Sequence, residues 1–404
     1  MSRLNTKLSV RRVLLIAGGI IALTGTSQAE AFCPSQKDLI DTYLPTTSSV
    51  GWVVVSVKLG QAECFFAGGE ISTTGPRKTP DRNTIFELAS VTKVFTTAIF
   101  ALRVLEGLNA WAPVEAYMPS RYSLKPKEQG VTFQQLATFT GGFHWSDPPG
   151  FKQPEIITED EFVDDVNGLE PKHPIQGETD LPTYNHYSNS SIGFLGQVLM
   201  NMVSSTGGPY ALHSAGFSNW ISANLTGPLN MPNTTVEPGG EWAKGYNAAL
   251  VEQTPFPWEP WGAAGALRSN AADMLTFLKV NICGQKILDP AFDPHCKGFP
   301  WNVRLALYRA QVPNTYFPPG TLADPTIYIG KTQKAVQAWA WRLLPPPTPN
   351  PNNDTLIISK NGGHPGFSTF IGFNPAKAYG VVILMNTGGL KLQTPGTNMI
   401  RHTP

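Results

Sequence analysis

The sequence predicts an α/β (α+β) protein: a mixed, mainly antiparallel sheet built from both chain ends with flanking helices, plus an all-α second domain. Three observations carry this expectation. Runs rich in β-branched residues stand near residue 51 and return only after residue 334. An apolar pattern of helical period begins at Ser90. Between these ends, further helical segments alternate with Pro/Gly-rich connections.

Taken in order, the first thirty-one residues read as a leader. Lys7, Arg11 and Arg12 precede the apolar run Val13 to Leu23, and Ser27-Gln28-Ala29 or Ala29-Glu30-Ala31 offers a small-x-small cleavage site. That run is short for a bilayer span. The expected mature chain is therefore periplasmic or secreted, with no membrane span after cleavage near residues 29–31. It forms one unit over 32–404, with a sheet part at about 32–95 and 330–404 and a mainly helical part at about 96–329.

Gly51 to Val57 reads as a strand, Lys58-Leu59-Gly60-Gln61 as a turn and Ala62 to Ala67 as the return strand. Phe95, Ile99, Leu102 and Leu105 recur at helical spacing before Gly107, which predicts an amphipathic helix of about four turns. Ser190 to Val203 and Ser269 to Ile282 are further helices. Strands follow at Ala335 to Leu344, Thr355 to Lys360, Phe367 to Phe373 and Tyr379 to Met385, with Pro345 to Asp354 as a hairpin loop or short linker.

Composition narrows the function classes. Of 404 residues, 41% are hydrophobic and only 15% charged, with a net charge of +1. This supports a substantial core and argues against a nucleic-acid partner, which needs a basic patch. The 38 Gly and 36 Pro lack any collagen-like period and imply many turns. Four cysteines allow three pairings in an exported chain; Cys283 and Cys296 could close a loop and Cys33 could reach Cys64, or all four could be free buried thiols. The seven histidines form no metal-ligand spacing, so neither a metal nor another cofactor is expected.

Three short motifs bear chemistry. In Ser90-Val91-Thr92-Lys93 a spacing of three places hydroxyl and amine on one helix face. A serine needs a partner to take its proton, and a lysine can serve if burial or a nearby cation depresses its pKa. A helix N-terminus also favours the oxyanion formed when a serine attacks a carbonyl. In Tyr187-Ser188-Asn189, a tyrosine near ammonium groups can act as a general base, and the asparagine offers a donor and an acceptor to a substrate amide. In Lys360-Asn361-Gly362-Gly363, the lysine can hold a carboxylate and the glycines let an edge strand approach substrate. Each motif alone is near chance frequency; a helix-capping turn explains the second, and Lys58-Leu59-Gly60 repeats the third as a hairpin turn.

Their order and contexts are more specific. Phe86 to Thr96 resembles the nucleophile segment of class C β-lactamases, Tyr187 to Gly193 resembles their tyrosine segment, and Lys360-Asn361-Gly362 falls where they carry Lys-Thr-Gly. Leu136 to Gly142 and Gly227 to Met231 match further family segments, so the resemblance runs from about residue 35 to 386. It implies a β-lactamase/transpeptidase-like fold, Ser90 as acyl-enzyme nucleophile and Lys93 with Tyr187 as the proton-transfer pair. It also implies Asn189, Lys360, Asn361, Gly362 and Gly363 in substrate binding, with the Ser90 and Gly363 N–H groups as the oxyanion hole.

Three departures stand out. Asn361 replaces the usual hydroxyl residue, although an amide can substitute. His364-Pro365 is nearer to peptidase- and esterase-like relatives. Only 18 residues follow Asn386, with Gly388, Gly389, Pro395 and Gly396 among them, so the closing helix is expected to be short, displaced or absent. The resulting expectation is a serine hydrolase of β-lactams. The alternatives are a D-alanyl-D-alanine peptidase or small-ester esterase using the same site, and a non-catalytic binding protein of this fold. The implied partner is a small-molecule β-lactam or a D-Ala-D-Ala peptide, and a monomer is the simplest oligomeric state.

Overall fold

A computed structural model describes residues 26–61, 63–124, 130–141, 143, 159–168, 187–203, 214–256, 260–312, 326–329, 333–344 and 355–403. The leader run Val13 to Leu23, the loop Pro345 to Asp354 and Trp258 lie outside the described residues. Eight strands form one antiparallel sheet. Their order is β2 (Glu63–Gly69), β1 (Gly51–Lys58), β12 (Tyr379–Met385), β11 (Phe367–Asn374), β10 (Ile357–His364), β9 (Arg342–Leu344), β8 (Gln333–Gln337) and β7 (Thr326–Ile329). The N-terminal hairpin thus pairs with the last strand, so both chain ends build the sheet, as the distribution of β-branched runs predicts. Two short pairs lie apart from it: β3 (Phe86–Glu87) with β6 (Arg268–Ser269), and β4 (Gly245–Tyr246) with β5 (Glu252–Gln253).

Alternation along the strands sends side chains to two faces. Val54, Phe370, Val381 and Ile383 pack with Ile40 of α1 (Thr26–Tyr43) and with Met399 and Ile400 of α11 (Gln393–His402). Val53, Val55, Ile371, Val382 and Leu384 face the larger core, which contains α2 (Thr92–Leu105) and α8 (Ala271–Gln285). There Phe95 and Phe277 stack with ring centroids 3.8 Å apart. Covering on both sides explains why every residue of β11 and β12 is buried. Of the other helices, α5 (Asn189–Val203) packs against α3 (Phe133–Ala137) and α7 (Gly262–Gly265), and α10 (Trp301–Ala310) lies on α2 and α8. Two more helices among the described residues, α4 (Glu159–Gly168) and α6 (Ser214–Ile221), belong to the helical region, α6 lying beside α7.

Two expectations need correction, and a third is narrowed. The helix after Ser90 is not amphipathic: Thr92 through Leu102 are all buried, because it runs through the centre of the protein rather than along its surface. The stretch Ala335 to Leu344 is not one strand. It breaks at Ala338–Trp341, whose backbone turns aside: Trp339 N–H donates to Ala310 O and Ala340 N–H to Ala137 O. Finally, of the three forms expected for the closing helix (short, displaced or absent) the first is found. The ten-residue α11 covers the outer face of the sheet beside α1. Pro395 sits in its first turn, where a missing N–H costs little. Gly396 is required by packing, since a Cβ there would lie 2.4 Å from the Phe370 ring.

Both cysteine pairs are disulfides: Cys33–Cys64 joins α1 to β2, and Cys283–Cys296 joins α8 to the end of α9 (Asp293–Cys296). Cys33–Cys64 spans 31 residues. Replacing both of these with serine is expected to lower unfolding free energy by about 2–4 kcal/mol in a urea titration. Turnover at 25 °C should persist, since this bond lies on the face that packs with α1.

Candidate active site

Ser90 sits in a single tight turn between β3 and α2. A 3-10 turn over Ala89–Val91 begins there, and Ala89 adopts φ +48°, a conformation that alanine rarely takes. The turn is clamped on both sides. Leu88 N–H donates to Leu267 O, and Thr369 Oγ1 of β11 donates to Leu88 O at 2.9 Å. The half-exposed Ser90 is thereby held at the N-terminal end of the buried helix α2.

Convergence on Ser90 Oγ is direct. The Tyr187 hydroxyl donates to it at 2.5 Å and Lys93 Nζ at 3.1 Å. Lys93, fully buried, also donates to Asn189 Oδ1 and to Ala264 O, each at 2.7 Å. The asparagine of the second motif therefore orients Lys93 from the start of α5. Lys360, on β10, completes the group: its Nζ and that of Lys93 each lie 5.0 Å from the Tyr187 ring centroid. Lys360 Nζ donates to Asn361 O at 2.8 Å. Burial, Arg342 and Lys93 together push the Lys360 amine well below its ordinary pKa.

The glycines have a steric reason. A Cβ on Gly362 would stand 2.3 Å from Leu88 O and 3.1 Å from Ser90 N, so only glycine lets β10 lie against the nucleophile turn. Gly363 next to it is exposed. Its N–H and that of Ser90 belong to backbone segments brought together by this contact. The structure thus assembles Ser90, Lys93, Tyr187, Asn189 and Lys360 from three distant stretches, with Asn361, Gly362 and Gly363 following Lys360 along the same strand. Such an arrangement can deprotonate an alcohol, deliver it to a carbonyl and stabilise the resulting oxyanion.

Sequence reasoning missed three contributors. Ala264 acts through its carbonyl, which no side-chain pattern reveals. Arg342, the first residue of β9, donates from Nη1 to Asn361 Oδ1 at 3.3 Å. Behind the strand, His364 Nε2 lies 2.8 Å from Glu87 Oε2, and Arg268 Nη2 lies 3.3 Å from Glu87 Oε1. Burial pushes the Glu87 carboxyl up, but the His364 contact and the Arg268 charge outweigh it and hold the carboxyl below its usual range. This buried cluster ties the end of β10 to the segment before Ser90. Three tryptophans near the site, Trp261, Trp339 and Trp341, are core residues. Among the described residues no His, Cys, Asp and Glu group is arranged to hold a metal, and no helix is long and apolar enough to cross a membrane.

Comparison with known proteins agrees with this geometry. The chain is 25% identical over 346 residues to a beta-lactamase of Lysobacter lactamgenus, covering 83% of this chain and 82% of that one. It is 26% identical over 314 residues to a beta-lactamase of Psychrobacter immobilis, covering 75% and 71%. Among solved structures, a class C beta-lactamase superposes with a TM-score of 0.70 at 17% identity, covering 94% of this chain and 99% of that chain. A beta-lactamase/D-alanine carboxypeptidase from Pseudomonas syringae gives 0.67 at 18% identity, covering 94% and 100%. These two likenesses show the fold. The family model for beta-lactamase matches residues 50–398, and with that match the chain belongs to the beta-lactamase family, as a serine β-lactamase-like hydrolase.

Proposed function

We propose that the protein hydrolyses the β-lactam amide of penicillins and cephalosporins through an acyl-enzyme on Ser90. The observation that carries this reading is the simultaneous approach of Tyr187 and Lys93 to Ser90 Oγ. Proton transfer from Ser90 to this pair frees the oxygen to attack the lactam carbonyl. The C–N bond then breaks, the ring nitrogen takes the proton, and both fragments stay joined because the amide was cyclic. The N–H groups of Ser90 and Gly363 receive the oxyanion, while Asn189, Lys360 and Asn361 position the substrate. Water then releases the opened product. The two disulfides fit an oxidising compartment, and together with the leader-like N-terminus they support a periplasmic or secreted protein.

Intact-protein mass spectrometry after brief exposure to penicillin tests the reading. The expected result is an adduct of one whole penicillin on Ser90 that disappears within the turnover time. An adduct persisting for hours would assign the site to D-Ala-D-Ala peptide chemistry, where the same acylation is followed by slow release of a β-lactam. Absence of any adduct would leave a small-ester esterase or a non-catalytic binding protein of this fold.

A further inference from the structure

Gly363 is held to the nucleophile segment from both sides, and one of the two contacts lies outside the three motifs. On one side Gly362 rests against Leu88 O, which also accepts from Thr369 Oγ1 of β11. On the other side His364, the last residue of β10, reaches Glu87, with Nε2 2.8 Å from Oε2. Glu87 and Leu88 are consecutive, and Ser90 follows two residues later. Two successive residues before the nucleophile are thus fixed to the two residues that flank Gly363.

His364 is itself set by its surroundings. Gly366 N–H donates to its Nδ1 at 3.1 Å. A ring nitrogen that accepts carries no hydrogen, which leaves the hydrogen on Nε2, facing the carboxylate. The ring packs against Phe256 and Phe367, with centroids 5.5 Å and 5.4 Å away. The charged groups on its far side are Glu87 of β3 and, behind it, Arg268 of β6, whose Nη2 lies 3.3 Å from Glu87 Oε1. Arg268 in turn donates to Val236 O. All three side chains are buried, so a carboxylate with a partner on each oxygen forms a fixed strut rather than a mobile surface pair.

We propose that His364 and Glu87 are positioning residues of the oxyanion hole, their contact setting the separation of the Ser90 and Gly363 N–H groups. Neither side chain touches the reacting atoms; His364 acts through the neighbouring Gly363, and Glu87 through the turn that carries Ser90. An oxyanion exists only once the carbonyl has been attacked, so a displaced N–H slows acylation and leaves substrate binding nearly unchanged. The inference rests on the acyl-transfer reading of Ser90 and adds what holds its two backbone donors in place.

Two variants divide the histidine into its halves. His364→Gln keeps an N–H donor at the reach of Nε2 and gives up the acceptor for Gly366. His364→Asn keeps an acceptor near Nδ1 and falls short of Glu87. Single-turnover acylation by a chromogenic cephalosporin should stay within about threefold of wild type in the first and slow by at least about tenfold in the second, with half-saturation little changed. Calorimetric affinity for phenylboronic acid, whose tetrahedral adduct on Ser90 places an oxygen in the same hole, should fall in His364→Asn alone. Equal losses in both variants, or wild-type acylation and boronate affinity in His364→Asn, would overturn the assignment. If the wild type leaves the cephalosporin intact while boronate affinity still falls in His364→Asn and not in His364→Gln, the lactam reading fails and the positioning role stands. A wild type inert to both reagents would overturn both.

Discussion

Ser90→Ala is expected to remove turnover of a chromogenic cephalosporin by at least about 10⁴-fold, because no other group in the cleft can replace the attacking oxygen. The folded state should survive. Ser90 is half-exposed, and the turn that carries it is held by Leu88, Leu267 and Thr369 rather than by its own hydroxyl. The variant should therefore melt within a degree or two of the wild type and still bind the intact antibiotic. It should also carry no penicillin adduct in the mass spectrum. Residual turnover near the wild-type rate, with a normal melting curve, would show that another nucleophile operates and would remove the proposed acyl-enzyme altogether.

How much of this site could be read in advance depends on how local its signals are. Ser90 and Lys93 are legible because a three-residue spacing on a helix is enough to place them together. Tyr187 and Lys360 become legible only through the order of motifs along the chain, since their approach is set by α5 and β10 packing on α2 and its preceding turn. Arg342 has no such signal. Its place follows from where β9 begins, and that depends on Trp339 and Trp341 being buried in the core while the Trp339 and Ala340 N–H groups bond to Ala310 and Ala137. The Ala264 carbonyl is equally silent in sequence. The closing helix was obscured for a different reason. Pro395 and Gly396 oppose a helix by local propensity, yet one occupies the first turn and the other fits beneath the Phe370 ring, so tertiary packing overrides the local preference.

The sharpest question left by the geometry is which direction protons move around Ser90, and Lys93→Ala addresses it. An ammonium at this position donates to Ser90 Oγ, Asn189 Oδ1 and Ala264 O. A neutral amine keeps the two shorter contacts at 2.7 Å as donor and turns its lone pair toward Ser90 Oγ. The same side chain can thus either accept the serine proton or hold a positive charge beside Tyr187 so that the phenol accepts it. Both roles are removed in the variant, and acylation measured in a single turnover is expected to slow by at least about a hundredfold. The acid limb of the kcat/KM profile should change with it, which a purely structural loss would not produce. Removing the amine also leaves the buried Asn189 and Ala264 oxygens without this donor, at a cost of roughly 1–3 kcal/mol each. Rates must therefore be read on the folded fraction, with Lys93→Arg as a charged comparison. If Lys93→Ala acylates near the wild-type rate with an unchanged profile, Lys93 is a packing residue and Tyr187 must act without it.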